Sequence, residues 1–356
     1  MGKRAALSLI SSFFTLIAIL ISAVTIAGAF ASHTDPNHHP LMGYIALGLP
    51  VLLLVNVGLF FYWLIKKKKR AVIPLIALLA NLSYFTAVFH YSKITVPDTE
   101  TLTVVTYNIH SFNKEKTGFT AKQIARYMEK EKADVLCFQE FNGNMYFPLD
   151  SLIRTFDRYP YRYIPVLPHR QTRIAVFSRY PLTDSLFVSF PGTDNCGLYV
   201  DMLVRKRTVR LFNVHMQTTD ISRAEKQFAE NEVYFDREDK IKALGSIRNT
   251  LLENMQERAS QANAIHALIE KSPYPVLVCG DFNDTPASYT YHTLKGNLND
   301  GFKSCGKGYQ YTFRGLFRLL RIDYIFHSPD IKAIRYESPS LKWSDHNPVI
   351  MKMELP

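Results

Sequence analysis

Three stretches without a charged side chain, residues 5–31, 41–65 and 71–91, constrain this chain more than any other feature. A helix needs about 20 apolar residues to cross a bilayer, so each run is long enough to span one. Lipid also forces the backbone to satisfy its own hydrogen bonds. The sequence therefore predicts three transmembrane helices before residue 92. Lys3 and Arg4 precede the first run, and Lys66, Lys67, Lys68, Lys69 and Arg70 separate the second from the third. Basic residues stay on the cytoplasmic side, which puts the loop around Asp35, His38 and His39 outside and exports everything after residue 91. A cleaved signal is the alternative for the first run, because Ala27-Gly28-Ala29 and Ala29-Phe30-Ala31 fit a small-x-small site. The run is nevertheless longer than the roughly 7 to 15 residues of a signal core. His38 and His39 read as a solvated loop, since no other ligand type recurs nearby.

Charge is distributed to match. Residues 1–91 hold seven of the 42 Lys/Arg and one of the 31 Asp/Glu, leaving 35 basic against 30 acidic residues in the remainder. That small excess suits an anionic substrate or a lipid surface without requiring nucleic acid. Cys137 and Cys279 fall in apolar strand patterns and read as inert core thiols, whereas Cys196 and Cys305 lie in loop-like stretches where export would permit a disulfide.

After a polar linker at 92–100, the domain at 101–356 alternates strand and helix patterns. TLTVVTY (101–107) is β-rich and ends at Asn108. A Lys/Glu-rich amphipathic helix carrying Phe119, Ile124, Tyr127 and Met128 follows, and DVLCFQ (134–139) runs into Glu140. RIAVFS (173–178), LYVDMLV (198–204) and TVRLFNVH (208–215) read as strands, the last two joined by the basic turn Arg205-Lys206-Arg207. Residues 222–271 are helix-like, with Leu251, Leu252, Met255, Ala259 and Ala262 as the inner stripe. VLVC (276–279) is a buried strand whose Gly280 lets the chain turn, delivering Asp281, Asn283 and Asp284 at the tip. A helix near 286–295 and strands at 321–328, 331–336 and 347–354 complete the α/β rhythm.

The strand-tip residues form a set: Asn108, Glu140, His215, Asp281, Asn283, Asp323, Asp345 and His346. Each alone is compatible with a capped turn. Together, with no cysteine cluster and no glycine-rich phosphate loop beside them, they favour oxygen ligands for Mg²⁺ or Mn²⁺ over a zinc site.

Seven motifs carry a resemblance to a known family: TYNIH (106–110), FQE (138–140), RIAVFSRYPL (173–182), NVHMQ (213–217), GDFND (280–284), RIDYIF (321–326) and SDHNPV (344–349). In this order, over roughly residues 101–354, the chain resembles the endonuclease/exonuclease/phosphatase family. The resemblance implies a four-layered α/β sandwich, two sheets face to face with helices outside. It implies Glu140 as principal metal carboxylate with Asn108 and Asp345 beside it, and Asp281 as the group that orients and deprotonates water. It also implies Asn283 as a donor to the phosphate, and His346 held by Asp323, with His215, around the phosphoryl group. His110 departs from the pattern, since some relatives place an acidic residue there. Arg170 and Arg173 are within reach of a substrate phosphate without matching a family arginine.

The resulting expectation is a membrane-anchored, Mg²⁺- or Mn²⁺-dependent hydrolase of phosphoric esters. Its substrate would be nucleic acid or, alternatively, a phospholipid headgroup of the sphingomyelin or phosphoinositide kind. A catalytically inactive membrane module that kept the fold is the second alternative. The sequence leaves open the oligomeric state and whether a monoester or a diester is cut.

Overall fold

A computed structural model describes residues 3–66, 68–92, 96–165, 174–219 and 237–356. Arg170, Arg173, Lys67 and the 222–236 part of the expected helical segment lie outside the described residues. The chain divides into two compact units: Met1–Thr86 with Asp220–Ala259 and Pro286–His292, and Ala87–Thr219 with Ser260–Thr285 and Thr293–Pro356.

In the first unit, α1 (Lys3–Ala31) and α2 (Pro40–Ile65) are each long and apolar enough to cross a membrane. The third run is not one straight helix. It forms α3 (Val72–Ala80) and α4 (Leu82–Val88), bent by 59° across the break, so among the described residues two helices are long and apolar enough to cross a membrane, or three if the bent pair counts as one. Asn81 explains the break: its Nδ2 donates to the carbonyls of Ala77 at 2.9 Å and Thr25 at 2.8 Å, which competes with the helical ladder. The same buried seam continues through Asn56, which donates to Thr25 Oγ1 and accepts from Ser22 Oγ. Side-chain hydrogen bonds of this kind hold helices together where lipid offers no hydrophobic drive.

The second unit holds two six-stranded sheets and a small ribbon. One sheet runs β10 (Asn299–Asp300), β12 (Asp323–His327), β9 (Val276–Asp281), β8 (Arg207–His215), β7 (Cys196–Val204) and β6 (Leu182–Ser189). The other runs β13 (Lys332–Glu337), β14 (Val349–Glu354), β2 (Leu102–Asn108), β3 (Val135–Gln139), β5 (Ile174–Ser178) and β4 (Tyr161–Tyr163). β1 (Phe89–Tyr91), expected as the end of the third span, instead pairs with β11 (Lys307–Tyr309).

Alternation along the strands builds the layers. Val104, Cys137 and Val176 of one sheet share a core with Leu198, Val200, Leu211, Cys279 and Ile325 of the other. Val105, Leu136, Phe138 and Phe177, facing the opposite way, pack with Ile124 and Met128 of the helix Phe119–Lys130 and with Phe156. On the outer face of the first sheet, the long helix Arg237–Ile269 brings Ile265 against Gly197, where a Cβ would stand 2.9 Å from Ile265 Cδ1. Met255, Ala259 and Ala262 of its expected stripe are buried, while Leu251 and Leu252 are half-buried. The expected α/β sandwich is therefore the observed architecture. Cys196 opens a strand rather than a loop, Cys305 closes the short helix Gly301–Cys305, and none of the four cysteines is in a disulfide.

Gly280 does not turn the chain. It stays in β9, paired with Tyr324 and Val214, and the added Cβ of any other residue would meet Val214 O at 2.0 Å. Its φ of +145° further restricts the position to glycine.

A buried amide pair fixes one sheet against the other. Gln139 Nε2 donates to Asn213 Oδ1 at 2.6 Å, and Asn213 Nδ2 donates to the carbonyls of Phe138 and Ala175, both at 3.1 Å. Asn213→Ala removes these three buried hydrogen bonds, each worth about 1 kcal/mol. The expected loss is about 3 kcal/mol, a fall in thermal midpoint of roughly 10 °C for a domain of this size, read by differential scanning calorimetry of the full chain.

Candidate active site

Strand register brings the chemistry together. His215, Asp281 and Asp323 are direct neighbours across β8, β9 and β12. On the facing sheet Asn108 lies beside Gln139, and Glu140 follows at once. The loop before β14 adds Asp345 and His346.

Asp281 is the point of convergence. Its Oδ2 lies 3.0 Å from Asn108 Nδ2, 3.7 Å from His346 Nε2 and 3.8 Å from His215 Nε2, and its Oδ1 accepts the Asn283 backbone N–H at 2.8 Å. Asn108 Nδ2 also lies 3.2 Å from Glu140 Oε1, and His215 Nε2 lies 4.0 Å from the same oxygen. His346 Nδ1 is 2.9 Å from Asp323 Oδ2. All eight residues singled out in the sequence thus meet in one place, Asp345 through its bond with His110 and its place beside His346. The expected ligand Asn108 turns its amide nitrogen, not its oxygen, to Glu140, while its Oδ1 accepts the His110 N–H at 3.1 Å. Asn283 Nδ2 donates to Met216 O at 2.9 Å, with one amide hydrogen left over.

Burial separates the set into a floor and a mouth. Asp281, Asp323, His215 and His346 are at most 5% exposed, whereas the Glu140, His110 and Asp345 side chains are 29%, 40% and 42% exposed. Burial, and then the nearby Asp323, push the Asp281 carboxyl up to about 6, against the opposing pull of His346 and His215. For His346 burial acts to lower the imidazolium pKa, but Asp323 and then Asp281 overcome it and hold the group up to about 10. The hydrogen bond that His110 donates to the Asp345 carboxylate raises the His110 pKa. Burial would raise Asp345, yet His110 and His346 hold it below its ordinary value. Asp281, Asp323 and His346 each offer a donor atom, all within 4.8 Å of one another, near enough to share a metal ion.

The backbone is strained at the same place. Glu140 and Asn283 have φ of +55° and +52°, and His110 through Lys114 form a run of left-handed residues. Such conformations persist only where the surroundings enforce them, and they concentrate at functional sites.

Other residues hold the floor in position. Thr312 Oγ1 accepts the N–H groups of Ile322 at 2.9 Å and Asp323 at 3.0 Å, and the Phe313 ring lies 5.2 Å from that of His346. Ser344 Oγ donates to Asn108 O at 2.7 Å and accepts the His346 N–H at 3.1 Å, tying the tip of β2 to the loop that leads into β14. Nothing in the sequence marks Thr312 for this role, since a lone hydroxyl acceptor has no pattern that would reveal it.

The sequence profile of the Endonuclease/Exonuclease/phosphatase family matches residues 105–346, and the chain belongs to that family. A Domain of unknown function (DUF8431) matches residues 11–88. No curated protein matches the chain in sequence. Among solved structures it is similar to an endonuclease/exonuclease/phosphatase family protein from Bacteroides thetaiotaomicron, with 16% identity over 72% of this chain and 98% of that one and a TM-score of 0.52. The corresponding Bacteroides vulgatus protein gives 17% identity over 72% and 100%, with a TM-score of 0.52. D. rerio TDP2, solved with a single-strand DNA product, gives 14% over 72% and 100%, with a TM-score of 0.51. At these identities the likeness shows the fold: that of a family of nucleases and phosphatases.

Proposed function

We propose that this protein is a membrane-anchored, divalent-metal-dependent hydrolase of phosphoric esters that acts on phosphodiesters. The observation that carries the reading is the convergence of Asn108, His215, Asn283 and His346 on the one buried carboxylate of Asp281. The half-exposed carboxylates of Glu140 and Asp345 fit a hard cation at the mouth, and oxygen donors of this kind suit Mg²⁺ or Mn²⁺. Bound there, the ion would neutralise charge on the phosphoryl oxygens and the leaving group. The floor fits a cation less well, because His346 and Asp323 are already bonded to each other.

The remaining steps belong to the chain's own groups. Asp281 orients a water molecule and takes its proton as the oxygen attacks phosphorus. His346, held as imidazolium by Asp323, donates to a phosphoryl oxygen, with His215 and the spare Asn283 amide hydrogen beside it. Asn108 keeps Glu140 and Asp281 at a fixed separation. Its proposed role is therefore to orient the ligand Glu140, with its own oxygen available to a cation only after a half-turn of the amide.

Activity should follow the charges. Asp281 must be ionised, so the rate rises as pH increases through about 6; His346 must stay protonated, so the rate falls as pH increases through about 10. The two limbs belong to the cluster as a whole. Asp323→Asn removes the support of the imidazolium and should move the alkaline limb toward the ordinary histidine value. A kcat/KM profile of both proteins checks this, and an unmoved limb would remove His346 as the charged donor.

The direct experiment is hydrolysis of bis-p-nitrophenyl phosphate, plasmid DNA and headgroup-labelled vesicles by the full chain with Mg²⁺ or Mn²⁺. The DNA product bound to D. rerio TDP2 supports a nucleic-acid substrate. The apolar helices favour the second reading, a lipid headgroup brought within reach by the anchor. Headgroup release without plasmid nicking would decide for the lipid; failure on every phosphodiester would leave an inactive membrane module.

We propose that the catalytic domain faces away from the cytoplasm. Basic residues flanking the spans support this topology.

A further inference from the structure

A second cleft, of about 590 Å³, opens beside β11 and β13 and has no part in the mechanism above. We infer that it binds the headgroup of an anionic phospholipid and so seats the catalytic domain on the bilayer surface, an inference that rests on the membrane-anchored reading and not on hydrolysis.

Its lining suits an anion rich in hydrogen-bond acceptors. Lys307 and Lys352 line the cleft and are in no ion pair among the described residues, whereas Arg335 is already held by Glu337 and Glu131. Gln310, only 6% exposed, and Ser338 line it too. The buried Gln310 Nε2 and Ser338 Oγ have no hydrogen-bond partner among the described residues. Buried donors are nearly always paired, so donors left over in the wall of a cleft point to an acceptor brought from outside. Phosphate oxygens meet that need, taking charge-assisted bonds from the two ammonium groups as well as bonds from the amide and the hydroxyl.

The surroundings make that phosphate a lipid's. The Gln310 N–H donates to Val88 O at 2.9 Å, and Arg321 Nη1 donates to Ala87 O at 2.8 Å, so the end of the third uncharged run is built into the cleft wall. β1 follows at once, pairs with β11 and leaves Phe89 and Tyr91 exposed. On the other side of β11, Tyr309 Oη donates to Arg318 O at 3.1 Å, next to Phe317, which is 93% exposed. Exposed aromatic side chains interleaved with Lys307 and Arg318 have the composition of a surface that lies among anionic headgroups. Tyr311 of the cleft wall runs directly into Thr312 and Phe313, which hold Asp323 and pack on His346. A lipid in the cleft therefore brings the active site close to the bilayer.

The test uses the full chain in detergent, stripped of divalent metal so that turnover does not intervene, and titrated calorimetrically with dihexanoyl phosphatidylglycerol, dihexanoyl phosphatidylcholine and inorganic phosphate. Phosphatidylglycerol should bind most tightly. Lys307→Gln and Lys352→Gln should each weaken it by about tenfold or more, the worth of one hydrogen bond to a charged group. In nanodiscs containing phosphatidylglycerol, a nitroxide on Phe317→Cys should be reached by dissolved oxygen and shielded from a water-soluble nickel chelate; the four native cysteines are buried and leave this label specific. Inorganic phosphate binding as tightly as the lipid, affinity unchanged in both lysine variants, or a nitroxide open to the chelate would overturn the inference while leaving the hydrolase reading intact. A full chain that stays in solution without detergent would remove the anchored reading and the inference with it.

Discussion

Asp281→Asn is expected to lower phosphodiester turnover by about 10³-fold, within the range that general bases contribute. The substitution keeps size and shape, and the Asn283 N–H still has an oxygen to donate to. What is lost is the proton acceptor, the hydrogen bond donated by Asn108 Nδ2 and the negative charge facing His346 and His215. Burial of that carboxylate disfavours its charged form, so the variant should unfold at a temperature no lower than the parent. Turnover and melting curves on one preparation separate the two effects: low activity with an intact melt supports the assignment, and near-normal turnover removes it. His346→Gln should cost about 10²- to 10³-fold. Because the two groups act on one phosphoryl transfer, the double variant should fall little below the worse single one.

Removal of divalent metal should abolish turnover, and Mg²⁺ or Mn²⁺ should restore it. Glu140→Gln should raise the metal concentration needed for half-restoration by at least about tenfold. Glu140 is the carboxylate best placed for this. It follows the strand residue Gln139, whose amide is anchored between the sheets, and its own φ of +55° turns it out of the strand direction toward Asn108 and His215. Full activity in chelator, or an unchanged metal requirement in Glu140→Gln, would remove the cation from the mouth.

Much of this site could be read from the sequence because its charged groups end or flank apolar strands. β2, β3, β8, β9 and β12 are buried along nearly their whole length, so their polar tips stand out. β6 lacks that signature: most of its residues are exposed, at the edge of its sheet, and no hydrophobic run marks it. β1, β4 and β11 are three residues each, too short for a periodic pattern. The third apolar run reads as one span by composition, but Asn81 bonds to backbone carbonyls and breaks it, and no hydropathy pattern contains that information. Gly280 shows a different limit. Glycine before polar residues reads as a turn, whereas here it permits the close approach of Val214 O, a contact between distant segments. The pairing of His110 with Asp345 was hidden for the same reason.

The central claim is that cation and phosphoryl group share the point where the two sheets' strand tips meet. Phosphorus-31 relaxation of inorganic phosphate bound to the Mn²⁺-loaded full chain tests it most directly. Strong paramagnetic enhancement, lost in Glu140→Gln with the ion and in His346→Gln with the phosphate, is the predicted result. Phosphate that binds without enhancement, or an enhancement unchanged in both variants, would contradict it.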